Sequence, residues 1–488
     1  MNRRELSKAI LATAAGMTVS AYPSSSFALP TKTSIQKLSA SLEGPVVLAG
    51  DELYEQARRV ASHNPTTDKH PAVIVGCTSV EDVAASIRFA REQALPLAIQ
   101  GGGHDVLGQS TVQEGMLLHT GYMNSISLDD ECVRVECGVR AGQLNQALQP
   151  KGLAVPLGCH PNVGVTGLTL GGGLGWLLGS HGVTCDSVKS FEIVTADGNF
   201  LSVSEYSHPD LFWALRGGGG NFGVVTAIEY RHSPLSSVAR GFIVYPGDNL
   251  GEFMRMFDDF MKQLPRELVV ELVLTTGPNP LINVTFCCSS PESFSESSIE
   301  QLLKFGSPIA KHIDVVPYSQ LTEVPAEVVS RVFGDEQQVD VSNEPVEWFN
   351  FWRGGSNSGW SHDAVQALQG SFRSAPDNAS IGIGHFMHGR ACDIDPSASP
   401  LIRQSGQFSY FFNANWSNPS ENTRNMDWVV NSHNAQRKYS VPTYINYLSE
   451  SGIDKVAQSY GSHFAELQAV KRRYDEENVF RFNRNIIP

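Results

Sequence analysis

The chain has 488 residues, 41% of them hydrophobic and 18% charged. That balance is globular, and the length exceeds what one compact core holds, so two or three domains are expected. The net charge of −14 excludes a nucleic-acid binder, which needs a basic face.

The N-terminus carries Arg3 and Arg4, a short apolar run from Ala9 to Ala21, and Ser26-Phe27-Ala28 as a small-x-small cleavage site. This is the pattern of an export signal, residues 1–28, and the run is too short to span a membrane as a mature helix. The paired arginines, followed by Leu6 and Lys8, resemble a twin-arginine signal, the route that carries folded proteins. A periplasmic or secreted protein beginning near Leu29 is expected. No later segment is apolar enough to cross a membrane.

Ala72–Gly76 reads as a buried strand, Ser79–Ala94 as a helix with Ser79 as its N-cap, and Leu95–Gln100 as a returning strand. A glycine loop, Gly101-Gly102-Gly103-His104, leaves the end of that second strand, and ligands favour such strand ends in α/β folds. Cys132–Gly138 alternates as a strand, Ala141–Gly152 reads as a short helix, and Val163–Gly179 is apolar, glycine-punctuated and irregular. Phe191–Ser204 reads as a hairpin turning at Asp197-Gly198. A helix over His208–Gly217 and a strand over Val224–Tyr230 follow. From about residue 239 to 436 the glycine clusters vanish and aromatics rise, which reads as a separate α+β domain. Within it, Glu267–Gly277 and Leu281–Ser290 alternate like strands.

Eight cysteines are present and none forms a C-x-x-C pair, so a zinc ribbon is not expected. Cys132 and Cys137 point to opposite faces of a strand-like run and should not pair.

Glycines cluster at 101–103, 171–173 and 217–220, each offering bare N–H groups suited to phosphate and carbonyl oxygens. Gly218–Gly223 spells G-x-G-x-x-G, but a helix precedes it and a strand follows, the reverse of the dinucleotide fingerprint. Gly115–Thr120 lacks a Walker lysine. Three glycine clusters therefore imply a large, flat or extended ligand against backbone. His104 beside the first could be a metal ligand, a base, a covalent anchor or a capped loop residue.

The segments PLAIQGGGHDVLGQS, VGVTGLTLGGGLGWLLGSHG, DLFWALRGGGGNFGVVT and YINYLSE…YDEENVFRFNRNIIP stand here in one order. Together they resemble the berberine-bridge-enzyme-like FAD-linked oxidases of the vanillyl-alcohol-oxidase superfamily. The resemblance implies an α+β fold. A two-part FAD-binding domain of PCMH type, with two α/β subdomains, would span 66–236. A substrate domain, an antiparallel sheet covered by helices, would span 239–436, and residues 437–488 would complete the FAD domain.

It also implies FAD bound by Gly101, Gly102, Gly103, His104, Asp105, Gln109, Ser110, His160, Val163, Gly164, Gly167, Gly171, Gly172, Gly173, Gly223, Val225 and Asn483, and bonded covalently through His104. Gln100 and Asp105 stand where arginine and serine are usual. Cys159 lies one residue early for a second covalent link, so a single link is expected with Cys159 as the exception to test. Tyr447 would be the base and Arg353 the cation that lowers its pKa. Val163 would guard the dioxygen path.

The implied activity is hydride transfer from a small organic substrate (a sugar, alcohol, amine or aromatic metabolite) to flavin N5, with dioxygen reoxidising the flavin and hydrogen peroxide released. The alternatives are a flavin dehydrogenase with another acceptor and a flavin-binding protein without turnover. The latter is left open by His463 and Glu466, which replace the usual asparagine and arginine of the tail.

Overall fold

Val73–Gly76 is apolar throughout, and in the computed structural model it is a strand buried at every position. The structure describes residues 29–325, 328, 348–450 and 452–488, so the expected export signal lies outside the described residues. Among the described residues no helix is long and apolar enough to cross a membrane.

The first sheet holds β1 (Val46–Val47), β2 (Val73–Gly76), β3 (Leu97–Gln100) and β4 (Met116–His119) in the order β1-β2-β4-β3. β2 and β3 both run parallel to β4, which lies between them. The β-α-β unit read from the sequence is therefore real but skips one strand, Met116–His119, which the sequence reading does not include. The intervening helix, Val80–Glu92, is capped by Ser79, whose side chain accepts from the Asp82 amide.

The chain continues through β5 (Ile126–Leu128), β6 (Cys132–Glu136), β7 (Leu153–Ala154), β8 (Val188–Val194), β9 (Phe200–Ser204), β10 (Val224–Arg231) and β11 (Ser233–Pro234). Five of these form an antiparallel sheet in the order β5-β6-β10-β8-β9, and β7 pairs with β11. Gly198 turns the β8–β9 hairpin at φ +78°, as its Asp-Gly pair requires. Leu467, Val470 and Ile486, from the C-terminal stretch, pack with Phe191, Leu215 and Phe222 in the core of this second sheet.

The third sheet has seven strands: β12 (Ser237–Pro246), β13 (Leu268–Thr275), β14 (Leu281–Cys288), β15 (Ala310–Pro317), β16 (Phe349–Asn357), β17 (Ala379–Gly384) and β18 (Phe408–Trp416). Their order is β15-β12-β14-β13-β17-β18-β16, and every pairing is antiparallel. Strand periodicity divides its two faces. Phe408, Tyr410, Phe412 and Ala414 of β18 join a core shared with the helices Leu250–Met261 and His362–Arg373. The alternate residues Ser409, Phe411 and Asn413 line a cavity on the other face. All eight cysteines are free thiols.

Candidate active site

A cavity of about 740 Å³ runs between the glycine loops and the open face of the third sheet. Its first wall is backbone. Gly101, Gly102, Gly103, His104 and Asp105 leave β3 along it, and Gln109 and Ser110 continue the loop. Val163, Gly164 and Gly167 stand beside them with His160, while Gly223 and Val225 enter from the start of β10 and Asn483 from the C-terminal tail. Gly102 and Gly164 touch main chain to main chain. A Cβ on Gly102 would lie 2.5 Å from the Gly164 nitrogen and 2.7 Å from its Cα.

The two sequence departures in this wall have local causes. Gln100 is buried and donates to the Arg59 carbonyl at 2.7 Å. The Asp105 carboxylate forms an ion pair with Arg484 and accepts from the Gln109 amide at 2.5 Å. Gln109 in turn donates to the Asn483 carbonyl at 2.6 Å, and Asn483 donates to the Gly220 carbonyl at 2.9 Å. One hydrogen-bonded row thus joins the first glycine loop, the third glycine loop and the tail. Arg484 closes that row and was not singled out in the sequence.

Placement of the third glycine cluster at the wall holds for Gly219 and Gly220, whereas Gly171, Gly172 and Gly173 do not line the cavity. A Cβ there would meet Asn446 at 2.2 Å, Leu401 at 3.0 Å and Thr184 at 2.2 Å respectively. The structure corrects the expectation for these three: their missing side chains admit neighbouring protein groups, not a ligand. His463 and Glu466 also stay off the cavity; His463 packs on Trp213 with ring centroids 5.8 Å apart.

His104 and His160 face one another in the wall, their ring centroids 5.3 Å apart. Burial, followed by the charge His160 would carry, lowers the pKa of His104, and burial lowers that of His160. A neutral His104 keeps a nitrogen lone pair for bond formation.

The second wall is side chains. Asn350 and Trp352 project from β16, Glu271 and Val273 from β13, and Phe411 from β18; His385 follows β17 directly. Tyr447 closes the end, its ring stacked on Phe411 at 6.3 Å and 17°, and edge-on to Trp352 at 5.6 Å. Arg353 does not line this cavity. It shares the face of β16 that holds Phe351, stacks over that ring at 4.8 Å, and donates to the Ser449 carbonyl at 2.6 Å. The expectation that Arg353 lowers the Tyr447 pKa is therefore corrected by the phase of the strand: residues 350 and 352 face inward, 351 and 353 outward.

The partner of Tyr447 is instead His385, with hydroxyl to Nδ1 at 3.3 Å. His385 Nε2 lies 3.3 Å from Glu271 Oε1, and the Cys159 thiol donates to the same oxygen at 3.1 Å. Burial pushes the Tyr447 phenol well above its usual pKa, and the Glu271 and Cys159 charges add to the rise. Neither Glu271 nor His385 was named from the sequence. The available signal was the one carboxylate inside the apolar strand Leu268–Thr275, an arrangement that is rare without a partner.

The first wall fits an extended phosphate-bearing ligand. A Cβ on Gly167 or Gly220 would meet no protein atom, so both open into the cavity, and the Ser110 hydroxyl, buried at its edge, has no protein partner. Residues 71–204 match the FAD binding domain family, and 443–487 match the family described as berberine and berberine like. The chain is 29% identical over 471 residues to (R)-6-hydroxynicotine oxidase of Paenarthrobacter nicotinovorans, covering 92% of this chain and 99% of that protein. It is 28% identical over 455 residues to an uncharacterized FAD-linked oxidoreductase of Bacillus subtilis, covering 92% and 97%. The crystal structure of 6-hydroxy-D-nicotine oxidase from Arthrobacter nicotinovorans superposes with a TM-score of 0.80 at 25% identity, covering 92% and 98%. The fold is also that of berberine bridge enzyme from Eschscholzia californica, at a TM-score of 0.78 and 18% identity over 93% and 99%. With a glycine-lined cleft for FAD, a berberine-like tail latched across it, and FAD-linked relatives along nearly the whole length, the chain carries the FAD binding domain and the berberine-like domain of the FAD-linked oxidoreductases.

Proposed function

We propose that the chain is an oxidase of a small organic substrate, that FAD is attached through His104, and that Tyr447 takes the substrate proton in a relay with His385 and Glu271. The observation that carries this reading is one continuous cavity reaching from His104 to the row Tyr447, His385 and Glu271. Bound FAD supplies the two-electron acceptor, and dioxygen is its oxidant, giving hydrogen peroxide.

The residues divide the remaining work. His385 donating from Nε2 to Glu271 leaves Nδ1 as the acceptor for the Tyr447 hydroxyl. This is the logic of a hydroxyl, an imidazole and an orienting carboxylate. The raised phenol pKa opposes a standing phenolate. In the relay, Tyr447 passes its proton to His385 as it receives the substrate's, so no phenolate has to persist. Trp352, Phe411 and Tyr447 give the substrate flat faces, which suits an aromatic or sugar ring. This is compatible with the relative whose name is (R)-6-hydroxynicotine oxidase. Val163, branched and half-buried at the wall, is assigned the dioxygen path.

The N-terminal segment is assigned to export, and sequencing of exported protein should read Leu29 first. The central test is acid precipitation of protein made with ample flavin. Yellow colour should stay in the pellet, and His104→Ala should move it to the supernatant. Colour lost from the wild-type pellet rejects the covalent link. A substrate panel read by peroxide under air tests the oxidase assignment.

A further inference from the structure

Cys159 has no part in the proton relay, yet it is held against both of the relay's inner members. Its Sγ lies 3.1 Å from Glu271 Oε1 and 3.5 Å from His385 Nε2, and those two atoms lie 3.3 Å apart. A linear relay places its carboxylate on one imidazole nitrogen and its hydroxyl on the other, which Glu271, His385 and Tyr447 already do. The thiol shares the same nitrogen and the same oxygen, so three donor atoms from three separate segments converge on one point.

Thiolate, imidazole and carboxylate are zinc ligands, with bonds of about 2.3 Å to sulfur and about 2.0–2.2 Å to nitrogen and oxygen. Tetrahedral angles at such bonds set sulfur and nitrogen about 3.6 Å apart, nitrogen and oxygen about 3.3 Å, and sulfur and oxygen about 3.6 Å. The observed 3.5 and 3.3 Å edges match. The 3.1 Å edge is shorter, as the S–H···O hydrogen bond requires before that proton leaves.

Two further features fit. His385 Nδ1 is engaged by the Tyr447 hydroxyl, the outer contact that fixes a ligating imidazole. His385 also stands at φ +47°, a conformation non-glycine residues seldom hold and one that collects at functional sites. Among the described residues these three are the group of histidine, cysteine and acidic side chains close enough to hold an ion. All three line the cavity, so the fourth tetrahedral position opens to it. Three protein ligands with an open position mark an exchangeable site, not a closed structural one.

We propose that Cys159, Glu271 and His385 bind one divalent cation of the zinc type, and that its binding switches off the proton relay at Tyr447. The switch rests on the relay reading above and on a Cys159 thiol free of flavin. Binding releases the thiol proton to solvent and places the cation on His385 Nε2. The imidazole proton then resides on Nδ1 and is donated to the Tyr447 oxygen, so the phenol loses its proton acceptor. No electron is transferred. The sulfur and imidazole ligands favour zinc or cobalt over magnesium or calcium.

The test uses chelator-treated, FAD-loaded protein equilibrated with zinc sulfate. Equilibrium dialysis with elemental analysis should find one zinc per chain, with affinity falling at least tenfold in Cys159→Ser and in Glu271→Gln. Cobalt(II) should give tetrahedral d–d bands to the red of the flavin absorption, absent in Cys159→Ser. Zinc should protect Cys159 from iodoacetamide, read by peptide mass spectrometry. In anaerobic flavin reduction, zinc should slow the wild type at least tenfold, while in Cys159→Ser the rate with zinc should equal its own rate without.

Zinc retained well below one per chain, zinc binding unaffected by Cys159→Ser, or a flavin found on Cys159 overturns the site. Stoichiometric zinc with an unchanged reduction rate overturns the switch. Should Tyr447→Phe reduce flavin at full speed while zinc still binds, the relay falls and the metal site stands.

Discussion

The two walls of the cavity are made of different material. The wall that carries His104 is main chain from four separated segments, and its members touch at distances that leave no room for a Cβ, as between Gly102 and Gly164. The wall that carries His385 is chiefly side chains on one face of a seven-stranded sheet, where a substitution changes the lining more than the strands. The first is fixed in shape and suits an invariant ligand such as FAD. The second is adjustable and suits a substrate. The division explains how one fold holds one cofactor against different reactions.

The largest effects should come from the side-chain wall and leave the other intact. Tyr447→Phe removes one oxygen and should slow anaerobic flavin reduction by about 10²–10⁴-fold, the usual worth of a proton acceptor. His385→Asn, a residue that tolerates left-handed backbone, should fall in the same range. The double variant should be no slower than the worse single one, because members of a relay act as a unit. Both proteins should stay yellow. Stopped-flow reduction measures all of this, and full-speed reduction in Tyr447→Phe would move the proton acceptor elsewhere.

The backbone wall should break differently. Gly102→Ala drives a Cβ into the Gly164 main chain, where no flexible group can yield, and should cost about 1–3 kcal/mol as overpacking. Gly220→Ala meets no protein atom, so the flavin-free protein should keep its melting temperature while FAD incorporation falls. Equal melting temperatures for the two flavin-free variants would contradict the account of this wall.

The same division decided what the sequence revealed. A main-chain wall demands glycine, and glycine runs are visible: 101–103 and 219–220 stand where such runs should. The run 171–173 looks identical but serves Asn446, Leu401 and Thr184, because glycine admits a neighbouring side chain as readily as a ligand. The side-chain wall draws Glu271, His385 and Tyr447 from segments at least 62 residues apart in sequence, so no local pattern marks it. Arg353 was misassigned for want of the phase of β16, which its neighbours Phe351 and Trp352 carry. The helix and strand boundaries fared better: Ser79 capped its helix and Asp197-Gly198 turned its hairpin as read.

A smaller effect should appear away from the cavity, on the helix Val80–Glu92 that packs against the first sheet. Asp82 is buried, and burial raises its pKa. Hydrogen bonds from the Thr78 amide at 2.9 Å, the Glu43 amide at 2.8 Å, the Thr78 hydroxyl at 2.9 Å and the Gly44 amide at 3.1 Å overcome that rise. The carboxyl therefore ionises below its ordinary value of about 3.9. A lowered folded-state pKa contributes stability that is complete above the unfolded value and is lost as pH falls through the folded one. Asp82→Asn should cost about 1–2 kcal/mol at neutral pH by leaving buried donors short of an acceptor. The wild-type and variant melting temperatures should converge below about pH 4. A constant gap across that range would remove the charge from the argument.

The smallest effect tests the seam between the walls. Val163 sits in the backbone wall, its carbonyl accepting from the Ala141 amide at 2.9 Å and its amide donating to the His160 carbonyl at 3.2 Å, while its side chain faces the cavity. Its main chain is thus fixed, and only the side chain can change what passes. Val163→Leu adds one methylene and loses the β-branch, so the longer side chain reaches further into the cavity. Flavin reduction should be unchanged, since the relay lies on the opposite wall. Reoxidation by dioxygen should slow by a few-fold to about tenfold, at most about 1.4 kcal/mol of barrier. Anaerobic and aerobic stopped-flow traces separate the two rates. The pattern is the reverse of Tyr447→Phe, so the pair of variants forms a crossed test. If Val163→Leu instead slows reduction and spares reoxidation, residue 163 contacts substrate, and the two walls do not divide the chemistry as their construction implies.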